Sequence, residues 1–174
     1  MSARAVRVSL AVSVDGLIAD DQGGVGWLDS YPAEAFGFAE FLAGIDTIVM
    51  GRKTYEQVLG FGAWPYVGKR SVVLSTQPVE DLPAGAEHRA GRPEDLAREL
   101  KAGRGRDVWV MGGGQTIGGF LRCGAIDSIE LFVVPVVLGR GLALFAGVTG
   151  LSGLRLVACE RADRGVVRLR YELG

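Results

Sequence analysis

From Val6 to Val14 the chain alternates apolar Val6, Val8, Leu10, Val12 and Val14 with Arg7, Ser9, Ala11 and Ser13, the period-two pattern of a β-strand. The pattern stops at an Asp15-Gly16 turn, and a glycine-rich loop follows, Asp20 to Gly26, "DDQGGVG". Ser30 and Pro32 predict a helix start, through a hydroxyl cap and a proline in the first turn, with the helix running to about Ala43. Strands and helices then alternate: strand Thr47 to Met50, a helix from about Thr54, strand Ser71 to Ser75, and a helix opened by Pro93, "PEDLARELKAG". Strand Asp107 to Met111, a glycine triplet, helix Thr116 to Arg122 and strand Ser128 to Val134 continue the series. Such alternation predicts a mostly parallel sheet covered on both faces. The tail differs, because Leu154 to Arg161 and Val166 to Leu173 flank "ADRG" and read as an antiparallel β-hairpin at one edge of the sheet.

With 174 residues, 48% hydrophobic and 22% charged, the expectation is one domain over residues 1–174 with a single core and no linker. Nineteen Lys and Arg against twenty Asp and Glu leave no excess charge to draw in a nucleic acid or an anionic membrane. The expected partners are therefore small molecules or other protein chains. No apolar run reaches the roughly 18 residues of a membrane span, and charges interrupt the N-terminal apolar pattern, unlike a secretory signal; a cytoplasmic protein is expected. Cys123 and Cys159 lie far apart without C-x-x-C spacing and are expected as free thiols in packed surroundings. With His88 the only histidine, no metal-ligand cluster is expected.

Two strand ends stand out. "TIVM" runs into Gly51-Arg52-Lys53-Thr54, and "DVWVM" into Gly112-Gly113-Gly114-Gln115-Thr116, each immediately before a helix. In an α/β sheet the ligand crevice lies beyond the carboxyl ends of the strands. Glycine lets backbone N–H groups approach a ligand and a helix start offers unpaired donors, so both corners suit phosphate oxygens. Either corner alone is equally explained as a tight turn with solvated cations. Two in one small sheet favour a dinucleotide, whose separate phosphates need separate cradles. Neither is a P-loop, and no G-x-G-x-x-G follows the first strand.

"TIVMGRKTYEQVL", "GKRSVVLST" and "VWVMGGGQTIGGFL", in this order, resemble the dihydrofolate reductase superfamily from about residue 6 to 145. "PVVLGRGLALF", Pro135 to Phe145, resembles the branch that contains the riboflavin-biosynthesis reductase domain and small reductase-like proteins. The resemblance implies a three-layer α/β/α sandwich with a mixed central sheet, an NADPH cofactor, and a homodimer as in the riboflavin branch. The apolar run "ELFVVPVVL" is compatible with such a dimer and equally with an internal strand.

Carried over by position, the resemblance implies that Gly51, Arg52, Lys53, Thr54, Ser75 and Thr76 hold the adenosine 2′-phosphate and neighbouring pyrophosphate. Arg52 is the discriminator for NADPH over NADH, since a guanidinium can bind phosphate bidentately. Gly112, Gly113, Gly114, Gln115 and Thr116 match the pyrophosphate corner, although Gln115 stands where the family often has Arg. Ala11 and Ile18 match the nicotinamide contacts, on either side of the loop Asp15 to Gly26, which reads as a closing lid or equally as a flexible surface loop.

The family's acid matches Glu34 in Pro32-Ala33-Glu34. Glu34, Phe38, Phe41, Leu42 and Ile45 fall at helical spacing, so the carboxylate is expected to share a face with the buried stripe, where its charged form is disfavoured and proton supply is favoured. The competing readings are a helix-dipole partner and Asp29 as the acid, because Trp27, a substrate-contact candidate, is spaced differently from typical folate reductases. Lys69 stands where folate reductases place an Arg for the substrate's glutamate tail, and Phe132 or Val133 where they place a Thr, which argues against folate as the dedicated substrate. Lys69 is the candidate for meeting a substrate phosphate instead. The expectation is an NADPH-dependent reductase of a pteridine- or pyrimidine-like heterocycle. The alternatives are a riboflavin-pathway reductase of a ribosylamino-pyrimidine phosphate and a dinucleotide-binding module without turnover.

Overall fold

Three strands carry apolar residues on consecutive positions, which requires cover on both faces. The computed structural model, which describes residues 4–150 and 152–174, supplies that cover. In chain order the elements are β1 (Val6–Ser13), β2 (Leu17–Ala19), 3₁₀ turns Gly26–Leu28 and Ala33–Phe36, α1 (Phe38–Ala43), β3 (Ile45–Gly51) and α2 (Arg52–Gly60). β4 (Arg70–Leu74), β5 (Ala86–Arg89), α3 (Pro93–Ala102), β6 (Asp107–Gly112) and α4 (Gly114–Arg122) follow. The chain closes with β7 (Ser128–Val134), β8 (Leu142–Ala143), β9 (Arg155–Arg161), a 3₁₀ turn Asp163–Gly165 and β10 (Val167–Glu172).

Eight strands form one mixed sheet in the order β5-β4-β3-β6-β1-β7-β10-β9, with β2 and β8 as a separate two-stranded ribbon. The six strands from β5 to β7 are parallel. The tail is the expected hairpin, with β10 antiparallel to both β7 and β9. On one face Val72, Val49, Val108, Val110, Val6 and Val8 pack under α3 and α4 through Leu96, Leu100, Ile117 and Phe120. On the other, Val73, Ile48, Met50 and Trp109 pack under α2 and α1 through Tyr55, Val58, Phe38 and Phe41. This is a three-layer α/β/α sandwich. β7 lies inside the sheet between β1 and β10, so the part of the apolar run up to Val134 belongs to an internal strand, while Val137 beyond it is exposed.

The predicted helix from Ser30 to Ala43 is not continuous. Gly37 sits at φ +60° between the 3₁₀ turn and α1, in the left-handed region where glycine is favoured, and Ser30 makes no cap; Pro32 holds that position. Helices α2 and α4 begin two residues earlier than predicted, so the corner residues themselves form the first helical turns. β5 and the ribbon β2–β8 had no sequence signal: in Ala86-Glu87-His88-Arg89 a single small apolar residue precedes three polar ones, and all four are half-buried. Cys123 and Cys159 are free but exposed, not packed as expected. Among the described residues no group of three metal-ligating side chains exists, and no helix is long and apolar enough to cross a membrane.

Phe120 is fully buried between α4 and the sheet. Phe120→Ala is expected to lower the unfolding free energy by about 3–5 kcal/mol, read as a drop in the denaturant midpoint at constant slope. A shift under about 1 kcal/mol would mean that the α4 interface closes over the vacated volume.

Candidate functional site

β4, β3, β6 and β1 are successive neighbours in the sheet, with Gly51 opposite Leu74 and Met50 opposite Gly112. Three of the segments singled out in the sequence therefore leave the sheet side by side: Ser75-Thr76 after β4, Gly51 to Thr54 after β3, and Gly112 to Thr116 after β6. Gly51 and Gly113 are the N-caps of α2 and α4, and neither helix has a side-chain cap. First-turn N–H groups have no intrahelical partner, so both helix starts present free donors with partial positive charge.

The two corners interlock. A Cβ on Gly51 would lie 2.9 Å from Thr116 Oγ1, closer than real Cβ contacts allow, so glycine is required there. In return Thr54 Oγ1 packs beside Gly112 and Gly113, 3.8 and 3.6 Å from where their Cβ atoms would stand. Gly112 takes φ +146°, and the Gly112–Gly113 peptide is cis. No other atom is within 4 Å of the Gly113 Cβ position, so the space over the second corner is open. Such a cradle fits a pyrophosphate.

Arg52 links the first corner to the end of β4. Its Nε donates to Glu56 Oε1 at 2.7 Å and its Nη1 to Gln77 Oε1 at 2.9 Å, while the Gln77 N–H donates to Ser75 Oγ at 3.1 Å. Lys53, Thr76 and Gln115 are exposed around this chain of contacts, and the Thr116 side chain is buried against Gly51. Beside Ser75 lies a cavity of about 300 Å³ lined by Leu74, His88, Ala90, Arg92 and Leu96. Sequence reasoning missed this wall because β5, which supplies His88, has no apolar pattern. The i,i+4 pairing of Arg52 with Glu56, by contrast, was readable from spacing alone.

Ala11 on β1 stands opposite Phe132 on β7. Phe36 meets Phe132 edge-on with centroids 5.0 Å apart, and Trp27, Leu28 and Tyr31 pack into the same cluster. The indole Nε1 of Trp27 is buried and has no hydrogen-bond partner. Ala11, Trp27 and the turn that bears Glu34 are thus brought together. Ile18 is not; it packs toward the α3/α4 core.

Two expectations are corrected. Glu34 is exposed, because the break at Gly37 takes it out of register with the apolar face of α1. Lys69 sits at the amino end of β4, the opposite end of the sheet from the corners, where its Nζ donates to the carbonyls of Leu42 and Ile45 at 2.7 Å each. It closes backbone there and faces no part of this site.

The glycine-rich loop is tied down at several points. Asp15 accepts from the N–H groups of Leu138 at 3.1 Å and Gly139 at 2.8 Å, and β2 pairs with β8. Asp20 Oδ1 accepts from Gln22 and Gly24 N–H at 2.9 and 2.7 Å, and Gln57 of α2 donates to the Gly23 carbonyl at 2.7 Å. The hydroxyl of Ser13 and the two loop amides hold the Asp15 carboxyl down at about 2.

Residues 4–168 match the RibD C-terminal domain. The chain is 33% identical over 166 residues to the uncharacterized protein YwjB of Bacillus subtilis (strain 168), spanning 93% of this chain and 94% of that one. A crystal structure from Shewanella sp. PV-4, provisionally named a riboflavin biosynthesis protein, superposes with a TM-score of 0.86 at 30% identity, covering 98% of this chain and 99% of the other. The dihydrofolate reductase of Enterococcus faecalis complexed with NADP(H) shares the fold, with a TM-score of 0.71 at 19% identity over 98% of this chain and 96% of the enzyme. At the level of family and fold these likenesses support a reductase-like function.

Because the folded state lowers the Asp15 pKa, its ionised carboxylate contributes to the tether fully above pH 3.8 and loses that contribution as pH falls through about 2. The Leu138 and Gly139 amide resonances are expected to titrate with a midpoint near 2. A midpoint near 3.8, the ordinary value, would show that the carboxylate does not bind these amides in solution.

Proposed function

The chain belongs to the RibD C-terminal domain family, and from that premise we propose that it is an NADPH-dependent reductase of a small pteridine- or pyrimidine-like heterocycle. The observation that carries this reading is the pair of interlocked glycine corners, whose uncapped helix starts stand side by side at the carboxyl ends of adjacent strands. When bound, NADPH would supply the hydride.

The residues present fit that group. Arg52, Lys53, Thr54, Ser75 and Thr76 would hold the 2′-phosphate end, with the cavity beside Ser75 open to the adenosine. The backbone of Gly112, Gly113 and Gly114 and the N–H groups of Gln115 and Thr116 would receive the pyrophosphate, since Gly113 leaves that space clear. Ala11, on the next strand, would border the nicotinamide. These contacts would fix the reacting atoms by position, which supplies much of the rate in such transfers. Trp27, which packs in the same cluster as Ala11 and Phe36, would border the substrate ring. Glu34, exposed on the turn whose Phe36 packs against Phe132, would orient the substrate and help supply its proton.

The riboflavin-pathway reading, a ribosylamino-pyrimidine phosphate as substrate, is supported by the family and by the Shewanella relative. Its phosphate would have to meet groups other than Lys69. NADPH oxidation with dihydrofolate, with the pyrimidine phosphate and with a panel of related heterocycles tests both readings. Dinucleotide binding without turnover of any of them would favour a non-catalytic module.

Gly113→Val is expected to fold, because Gly113 has extended backbone at φ −75° and ψ −166° that valine adopts, and to lose dinucleotide binding, because the branched side chain would fill the cradle. Calorimetry showing normal NADPH affinity would make the second corner a turn and nothing more.

Glu34→Gln is expected to leave cofactor affinity unchanged and to slow hydride transfer to any accepted substrate by roughly 10²–10⁴-fold. Asp29→Asn serves as the comparison. A wild-type rate in the first variant with a dead second one would move the acid to Asp29.

A further inference from the structure

Four residues stand in register across the outer half of the sheet. Glu160 of β9 is opposite Arg168 of β10, Arg168 is opposite Phe132 of β7, and Phe132 is opposite Ala11 of β1. Residues directly opposite one another share a face, so this row ends beside the cluster that holds Trp27 and Phe36. Arg168 is held on the row by all three of its nitrogens. Its Nε donates to Glu130 Oε1 at 2.8 Å, its Nη2 to Glu130 Oε2 at 3.3 Å and its Nη1 to Glu160 Oε2 at 3.2 Å, while the guanidinium carbon lies 5.8 Å from the centre of the Phe132 ring. A buried Arg–Glu pair is often no more stabilising than apolar side chains of similar volume, so stability alone does not account for it. What it supplies is a rigid charged plane at a fixed place against an aromatic ring.

We infer that Arg168 is a positioning residue for the proposed reduction, acting through Phe132 and Phe36 to fix the turn of Glu34 against the strand of Ala11. Each link is a contact. Arg168 lies against the Phe132 ring, Phe132 meets Phe36 edge-on with centroids 5.0 Å apart, and Phe36 closes the 3₁₀ turn Ala33–Phe36 that bears Glu34. If the guanidinium is lost, Phe132 can lean toward β10, and Phe36 and the Glu34 turn lose the surface against which they rest. A misplacement of about 1 Å is enough to slow a positioned transfer by as much as about a hundredfold. Arg168 itself touches neither cofactor nor substrate in this role. The inference rests on the proposed assignment of Glu34 as the acid and of Ala11 as the border of the nicotinamide.

Two variants of the full chain test it. Arg168→Lys keeps a cation for Glu130 but has no plane to span Glu130, Glu160 and the ring; Glu130→Leu with Arg168→Met removes both buried charges together, so neither is left unpaired. The Gly37 N–H, which donates to the Glu34 carbonyl at 3.2 Å, reports on the turn by its hydrogen exchange. In both variants this amide is expected to exchange about tenfold faster while the amides of β3 keep their wild-type rates, which separates local loosening from global unfolding. NADPH affinity, measured by calorimetry, is expected to stay at the wild-type value. With any heterocycle the wild type reduces, kcat is expected to fall by about tenfold to a hundredfold and KM to change by less than about threefold. Wild-type Gly37 exchange in both variants, a loosened turn with wild-type kcat, or full retention of kcat in Arg168→Lys each overturns the inference and leaves the proposed function standing. A wild type that binds NADPH but reduces no heterocycle sinks the proposed function, and the inference falls with it.

Discussion

The arrangement of this site depends on one close approach, Gly51 against the hydroxyl of Thr116. With a Cβ position only 2.9 Å from that oxygen, a side chain at the end of β3 would force Thr116 or the corner around it to shift. The reciprocal contact, Thr54 beside Gly112 and Gly113, holds α2 to the same geometry. Two helix starts that would otherwise be independent are thereby fixed relative to each other. Parallel strands stand about 4.8 Å apart, so the ends of β4, β3, β6 and β1 form a row of evenly spaced positions on a common rim. The corner residues, Ser75 and Ala11 all fall on that row because the sheet order places them there, although they are distant in sequence.

What the sequence made legible follows from burial. "TIVM", "SVVL" and "DVWVM" are apolar on consecutive positions because helices cover both sides of those strands, and the corners that follow them were readable because glycines and cations are unusual at such junctions. The C-terminal hairpin was legible from its turn and its length. Other parts carried no local signal. β5 joins the edge of the sheet through backbone hydrogen bonds to β4, which any polar stretch can make, so Glu87 and His88 gave no pattern. Helical periodicity counted from Glu34 to Ile45 ran across Gly37, where a left-handed residue resets the phase. Lys69 was placed by its match to the family's Arg just before β4, but that position lies at the amino end of the strand, and its ammonium closes carbonyls at the far rim.

The same rim governs the glycine-rich loop. Composition alone left a lid and a slack surface loop equally open, yet the loop is tied at three points: Asp15 on the segment after β7, β2 on β8, and Gly23 on Gln57 of α2. Gln57 lies on the helix whose first turn forms the Arg52 corner. A ligand that repositions this turn therefore acts on an element bonded to the loop, and the loop leads directly to Trp27 and its unpaired Nε1.

The distribution of carboxylates narrows which group can manage a proton at this end of the sheet. Glu130 is buried on β7 two residues from Phe132, but Arg168 of β10 holds it with Nε on Oε1 at 2.8 Å and Nη2 on Oε2 at 3.3 Å. Both of its oxygens are engaged by a permanent cation, and leaving the buried Glu130 carboxylate without that partner is costly. Asp15 and Asp20 are committed to backbone amides of the loop. Among the described residues, neither Asp29 nor Glu34 has a side-chain hydrogen bond or ion pair, and both lie on the turns that pack over Phe132. A carboxylate that must accept, orient and release a proton needs that freedom, so under the proposed reductase reading these two positions are the candidates for the acid. Of the two, only Glu34 shares its turn with Phe36, whose ring meets Phe132 opposite Ala11. That shared turn ties its backbone to the strand that would border the nicotinamide, and places Glu34 ahead of Asp29.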